Sequence, residues 1–593
     1  MSKDEYRSKR WSLTDLIGAP AGPEMEAVFD ELETAVRRLE ERKDALTPSI
    51  DAEAFADILT TVERIGHLTR RLNAYATLWL AEETSDQAAL ALRGRVNETA
   101  AAVRNRTLFF ELWWKGLDDE NATRLLAVSG DVRYYLATLR RFAPFTLSEA
   151  EEKVINVKDV YGVQGLETLC DMVANGLTFE MEIDGEVRTV TRPELMVHAR
   201  DSSPERREAA YKALYEVFGR QGGVLGQVYT YLVGDWNAEN VGLRGMSSAI
   251  SARNLRNDLD DAVVDALLAS CRKNVPLFQR YFRLKAKWLG IDRLRRYDIY
   301  APVTDVTREV SFADGVAMAL DGFRGFSEEI AEFAERVLAE DHLDSEVRPR
   351  KDTGAFCFGV VPELTPWVLV NYNGRLDDVS TLAHELGHAV HAMLAADHSV
   401  LTFHSSLPLA ETASNFGEIL LLKRQLEFED DPVVRRHLLA KFVDDAYASI
   451  LRQTYFVLFE RDAHRLIVDE GATVDRLSEY YLETLNEQFG GAVDVSDEFR
   501  WEWVSVPHIY QVPFYCYAYA FGLLLVLALY RQYEQEGEAF VPRFVRLLAR
   551  GGSLAPVDVL DEAGVDVRDE AFWQGGFDVL AGMIDELERG EAD

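Results

Sequence analysis

The segment Asp377-Asp-Val-Ser-Thr-Leu-Ala-His-Glu-Leu-Gly-His-Ala-Val-His carries two histidines and a glutamate in the order HExxH, at His384, Glu385 and His388. On an α-helix, residues four apart differ by about 40° in azimuth and one turn in height, so both imidazoles converge on one ion. Glu385 lies about 100° round from His384. From there its carboxylate reaches a metal-held water without becoming a ligand. Zinc chemistry uses this arrangement: neutral histidines, an open position for water and a carboxylate to take its proton. The spacing points to metal-assisted hydrolysis with one Zn2+ per chain.

A third protein ligand is needed. The metzincin pattern would place glycine at 391 and histidine at 394, where this chain has His391 and Leu394. His391 shares the face of His388 but lies almost a turn further along, which suits a substrate contact better than a shared ion. Asp397 follows too closely to be brought back by an independent element. The best candidate is Glu411 in Pro408-Leu-Ala-Glu-Thr-Ala-Ser-Asn-Phe-Gly-Glu, on a second helix returning beside the first. Glu418, seven residues on, falls within about 20° of the same face and can orient a ligand imidazole through its free N–H. Asp378 is a candidate for the same task, with a plain helix N-cap as its alternative.

These residues need a rigid frame. Val379, Leu382, Leu386, Val390 and Met393 give the HExxH segment an apolar stripe at helical spacing. Immediately upstream, residues 352–373 read as extended segments, GAFCFGVV and PWVLVNYNG, separated by Pro362 and Pro366. Elsewhere helical periodicity dominates, over 52–80, 87–117, 121–142, 192–244, 258–290 and 312–340. The exceptions are a hairpin around Asp184-Gly185 and a short strand at Arg296-Tyr-Asp-Ile-Tyr-Ala-Pro. The expected fold is mainly α, large and helical, with a small β region before the HExxH helix. It divides as 1–145 (N-terminal helical region), 146–200 (helix plus hairpin) and 201–593 (catalytic region).

The chain has 593 residues with 64 basic and 100 acidic side chains, a net charge of −36. That balance excludes a broad nucleic-acid or anionic-membrane surface, because both would be repelled. A hydrophobic share of 48% supports a buried interior and excludes global disorder. Residues 514–530 lack charge and reach the lower limit for a membrane span, but they are tyrosine-rich, follow Pro513 and have no second such segment. They read as a buried helix of a protein that does not enter membranes. Four cysteines without a CxxC pair exclude a disulfide framework, and MSKDEYRSKRW contains no apolar leader. A reducing cytoplasm is the expected location. Monomer and homodimer are not distinguished.

HELGHAVHAML followed by LAETASNFGE resembles the thimet-oligopeptidase-like zinc metallopeptidases, specifically the oligoendopeptidase F branch. Supporting pieces are Trp11-Ser-Leu-Thr-Asp-Leu, Tyr297-Asp-Ile-Tyr-Ala-Pro, Thr353-Gly-Ala-Phe and His508-Ile-Tyr-Gln-Val-Pro-Phe-Tyr-Cys-Tyr-Ala-Tyr, spread over nearly the whole chain. The resemblance implies a two-lobed, clam-like helical body with a deep channel, zinc held by His384, His388 and Glu411, and Glu385 as general base. It implies short unstructured oligopeptides as substrates, cut internally; a metallocarboxypeptidase of similar helical fold is the alternative. It also implies that His508 and a tyrosine face the substrate carbonyl: Tyr519 first, then Tyr515 and Tyr517, and Tyr510 last. Gly354-Ala355-Phe356 would offer an extended edge to the peptide backbone. Lys351-Asp-Thr-Gly-Ala-Phe-Cys departs from the basic, serine-containing version of that strand, which puts the edge's role in doubt.

Overall fold

A computed structural model describes residues 5–590 apart from 184, 305 and 307. The chain is mainly helical and forms two compact units, each assembled from separated stretches. A contiguous division into 1–145, 146–200 and 201–593 cuts across both.

The first unit comprises Met1–Pro144, Thr307–Phe428 and Leu529–Asp566. Its early helices, Pro23–Glu41, Ala52–Glu82 and Gln87–Gly116, pack on one another. Asp51 and Asp86 cap the second and third by accepting from Ala54 N and from Ala88 and Ala89 N, satisfying amides the helix leaves unpaired. Phe55 stacks on Trp114 at 5.7 Å in their shared core.

The same unit holds a three-stranded sheet. Trp367–Leu369 is central, parallel to Leu343–Asp344 and antiparallel to Phe356–Phe358, with Cys357 opposite Val368. Trp367 Nε1 donates to Ser12 O at 2.7 Å, and Trp11 packs on Phe356, so the N-terminal segment lies against the sheet. Lys351 is buried beneath it. Its ammonium donates to the carbonyls of Asp344 (3.1 Å), Glu346 (2.9 Å) and Val370 (2.7 Å) and pairs with Asp344, so Lys351 ties the loop to the sheet.

The HExxH helix, Leu376–Leu394, follows the sheet directly. Asp377 and Asp378 occupy its first turn, where the helix dipole favours anions. Asp378 Oδ2 accepts from the amides of Asn373 (2.7 Å) and Arg375 (2.9 Å). It therefore secures the helix start instead of orienting a ligand, which corrects the expectation for that residue. Val379, Leu382, Leu386 and Val390 are buried as the periodicity requires.

The helix Thr412–Phe428 runs antiparallel to it at backbone distance. A Cβ on Gly387 would stand 2.5 Å from Ala413 O and 2.6 Å from Ser414 Cα; one on Gly417 would stand 2.9 Å from Ala383 O. On an exposed helix, glycine to alanine is favourable by about 1 kcal/mol. Here the sign reverses: Gly387→Ala should cost about 1–3 kcal/mol by overpacking and weaken metal binding by spreading the two helices. Chemical denaturation and metal titration check this; an unchanged midpoint and affinity would show that the helices do not need this approach.

The second unit comprises Phe145–Val306, Glu429–Ala528 and Val567–Asp593. Its hairpin pairs Phe179–Ile183 with Glu186–Val190 around Gly185 at φ 85°; Asp184 lies outside the described residues. The strand expected at 296–302 is instead a two-residue strand, Leu294–Arg295, leading into a 3-10 turn, Arg296–Asp298. The reason is electrostatic. Arg296 pairs with Glu502 at 2.7 Å and Asp298 with Arg207 at 2.8 Å, all four buried, and the turn lets successive side chains reach inward. Residues 520–530 are buried in the helix Tyr517–Glu536, apart from the half-buried Leu523. Among the described residues, no helix is long and apolar enough to cross a membrane.

Candidate active site

The antiparallel pair of helices places two carboxylates beside the two imidazoles. Glu411 sits at the junction between the short helix Leu407–Ala410 and Thr412–Phe428. Its Oε2 lies 3.3 Å from His384 Nε2 and 3.3 Å from His388 Nε2. Glu418 Oε1 accepts from His384 Nδ1 at 2.5 Å, fixing that ring with Nε2 turned to Glu411. The imidazole planes stand 80° apart with centroids 4.9 Å apart.

His384, His388 and Glu411 thus bring three donor atoms within 4.8 Å of one another. Electrostatics match a cation site. Burial opposes charge on His384, but Glu411 and Glu418 outweigh it and push the imidazole up to about 10. Burial would raise Glu411, yet the two imidazoles hold it well below the usual carboxylate range. The arrangement favours positive charge at the point where the three donors meet, the place a divalent ion would take instead of the proton. The donor set, two imidazole nitrogens and a carboxylate oxygen, fits zinc.

Glu385 is 6% exposed and lines the same cavity of about 580 Å³. Burial pushes its carboxyl up, against the pull of His384 and His388. The neighbouring Cys357 thiol is also pushed up, by burial and by the charge of Glu385, which keeps it protonated.

Two side chains hold Glu411 from outside the donor set. Ser414 Oγ donates to Glu411 Oε2 at 2.8 Å. His391 bonds the Ala410 backbone, one residue before Glu411, and burial together with the charge of His388 pushes it down to about 4. His391 lines the cavity as a neutral ring, but its bond makes it a support for Glu411. Sequence reasoning did not single out Ser414, although its i+3 spacing from Glu411 was a usable signal.

The edge strand contributes Ala355, Phe356, Cys357 and Phe358 to the cavity wall. Gly354 does not share in this. Its N–H donates to Asp352 Oδ1 (2.9 Å) and its carbonyl accepts from Asn371 Nδ2 (3.0 Å), so its backbone groups are spent on the preceding loop.

The downstream aromatic residues divide into two groups within the second unit. His508 Nε2 and Tyr519 OH are 3.2 Å apart, Tyr515 stacks on His508 at 5.8 Å, and Tyr519 is 36% exposed. Burial, with the charge of Arg452, pushes His508 down. Tyr510 and Tyr517 are interior instead: Tyr510 OH donates to Val504 O at 3.2 Å, and Tyr517 OH accepts from Asn257 Nδ2 at 2.8 Å. Both expectations of substrate contact are corrected. Residues alternating along a helix cannot share one face, and here the buried face took Tyr517.

A helical body with an HExxH pair, a carboxylate from a returning helix and a buried glutamate on one cavity defines a metallopeptidase of the kind that uses water as nucleophile. Comparison with known proteins agrees. The model of peptidase family M3 matches residues 197–579. Oligopeptidase PepF of Bacillus subtilis (strain 168) is 25% identical over 590 residues, covering 98% of this chain and 87% of its own. An oligoendopeptidase F homolog of Borreliella burgdorferi is 24% identical, covering 91% of this chain and 92% of its own. Among solved structures, oligoendopeptidase F from Enterococcus faecium superposes with TM-score 0.71 at 23% identity, covering 96% of this chain and 99% of the other. A candidate peptidase from Chlamydophila abortus superposes with TM-score 0.87 at 21% identity over 100% and 99% of the two chains. The chain belongs to peptidase family M3, in its oligoendopeptidase F branch.

Proposed function

We propose that this metalloendopeptidase cuts internal bonds of short unstructured oligopeptides, with His384, His388 and Glu411 holding a zinc ion and Glu385 acting as general base. The observation that carries the reading is the convergence of both Nε2 atoms on Glu411 Oε2, with the buried Glu385 on the same cavity. Zinc, when bound, supplies Lewis acidity and lowers the pKa of water to about 7. Glu385 takes the proton of the attacking water and delivers it to the leaving amine. Its burial supports that role, because a raised carboxyl accepts and returns a proton more readily near neutral pH. Glu418 keeps His384 in the tautomer that leaves Nε2 free. Ala355 and Phe356 border the cavity and are proposed to line the bound peptide.

His508 and Tyr519 are proposed as donors to the substrate carbonyl. Their mutual bond and the exposure of Tyr519 support this, and donors of this kind contribute about 3–4 kcal/mol each. A reducing compartment such as the cytoplasm belongs to the same reading, supported by four free cysteines.

Product mapping tests the proposal. A peptide blocked at both ends should be cut internally, cutting should stop on chelation, and added zinc should restore it. Refusal of every blocked peptide, with stepwise C-terminal trimming of free ones, would favour the carboxypeptidase alternative. Cleavage indifferent to chelator would remove the metal from the reaction.

A further inference from the structure

The cavity holding the HExxH residues is also bordered by a wall from the helix Ala52–Glu82. That wall presents Arg70 and Asn73, one turn apart on one face, together with His404 and Ser405. A Cβ on Gly359 would lie 3.3 Å from Ala392 Cβ and 3.5 Å from His404 Cε1. This joins the end of the edge strand, the HExxH helix and His404 at one point.

Arg70 is the anomaly. It is half-buried and has neither a hydrogen bond nor an ion pair to any described residue. Its neighbours on the same helix each have a partner: Arg64 pairs with Glu31 at 2.5 Å and Arg71 donates from its Nη2 to Leu16 O at 2.5 Å, with only its Nε left over. In a chain with 100 acidic residues, none of the described ones has been placed against Arg70. Burying a charge without a partner is costly, so such groups are ordinarily paired. Its charge also reaches His404, which burial first and Arg70 second push down to about 3. His404 therefore does not add to the positive charge.

Asn73 completes the donor array. Its Oδ1 is taken by Arg93 Nη1 at 2.8 Å, which leaves the amide NH2 as its remaining polar end. A guanidinium and an amide at i, i+3 form a donor set suited to a planar anion.

We propose that this end of the cavity is a carboxylate-binding subsite, in which Arg70, with Asn73 beside it, takes a carboxylate of the bound peptide. The inference rests on the peptidase reading, since carboxylates are the anions that peptides carry. Two sources share this chemistry: the C-terminus of the peptide and the side chain of an aspartate or glutamate. The subsite would make cleavage position depend on where the carboxylate lies, because an anchored end fixes which bond reaches Glu385.

The test uses the full-length zinc-loaded protein and two series of matched peptides. One series differs only in a C-terminal acid or amide; the other is blocked at both ends and carries glutamate or glutamine at successive positions. At least one series should favour the carboxylate by about tenfold in kcat/KM, mainly through KM. A preference in the first series assigns the C-terminus as the source, and one in the second assigns a side chain. Arg70→Met should bring the preference ratio close to one, and Arg70→Lys should retain part of it. Equal cleavage of every pair by the unmodified protein would overturn the subsite without any variant, as would an undiminished ratio in a folded Arg70→Met protein. Failure of the peptidase reading is separate: then neither member of any pair is cut.

Discussion

Glu385→Gln should leave the protein folded and zinc-loaded while lowering kcat on a blocked peptide by about 10²–10⁴-fold, the range expected for removal of a general base. The substitution keeps the shape but replaces a basic carboxylate with a neutral amide that does not take up the water's proton. Glu385 is not among the three residues whose donor atoms cluster, so metal content should hold. Burial has already made its carboxyl easier to protonate, and a neutral amide adds no charge to the interior. Steady-state kinetics beside metal analysis separate the outcomes. Turnover within a few-fold of the unmodified protein would reassign the base; loss of zinc would show that Glu385 supports binding.

Glu411→Ala should abolish stoichiometric zinc binding and, with it, cleavage. The carboxylate is the only anionic member of the donor set and the group on which both Nε2 atoms converge. Without it two imidazoles remain, and Ser414 Oγ loses its side-chain acceptor. Glu418→Ala provides the graded comparison. That carboxylate bonds the far side of His384, and losing such a support typically costs 10–100-fold in metal affinity. Zinc titration of the two variants should therefore rank Glu411→Ala well below Glu418→Ala. A Glu411→Ala protein that still holds one equivalent of zinc would move the third-ligand role elsewhere and remove the basis of the site.

The success of sequence reading follows the range of the interactions involved. HExxH is legible because four residues make a turn, and the seven-residue interval from Glu411 to Glu418 is legible for the same reason: both carboxylates occupy one face. The mainly helical fold and the small β region before the HExxH helix are read from local periodicity. Asp378 was ambiguous because an acid in the first helical turn serves equally as cap or as neighbour; only the loop path that brings Asn373 and Arg375 to its Oδ2 decided for the cap. Tyr510 and Tyr517 were misplaced because tyrosine is at home both in a core and at a substrate.

By itself the sequence determined the residue types of the site, their helical spacing and the family motif, since these depend on the geometry of one helix turn. Tertiary structure decided which partner each group met. The close approach at Gly387 brings Glu411 to the imidazoles, His391 bonds the backbone beside Glu411, and Arg70 reaches the same cavity from a helix more than 300 residues earlier in the chain. No local pattern encodes that last meeting, because it comes from packing between segments that share no periodicity.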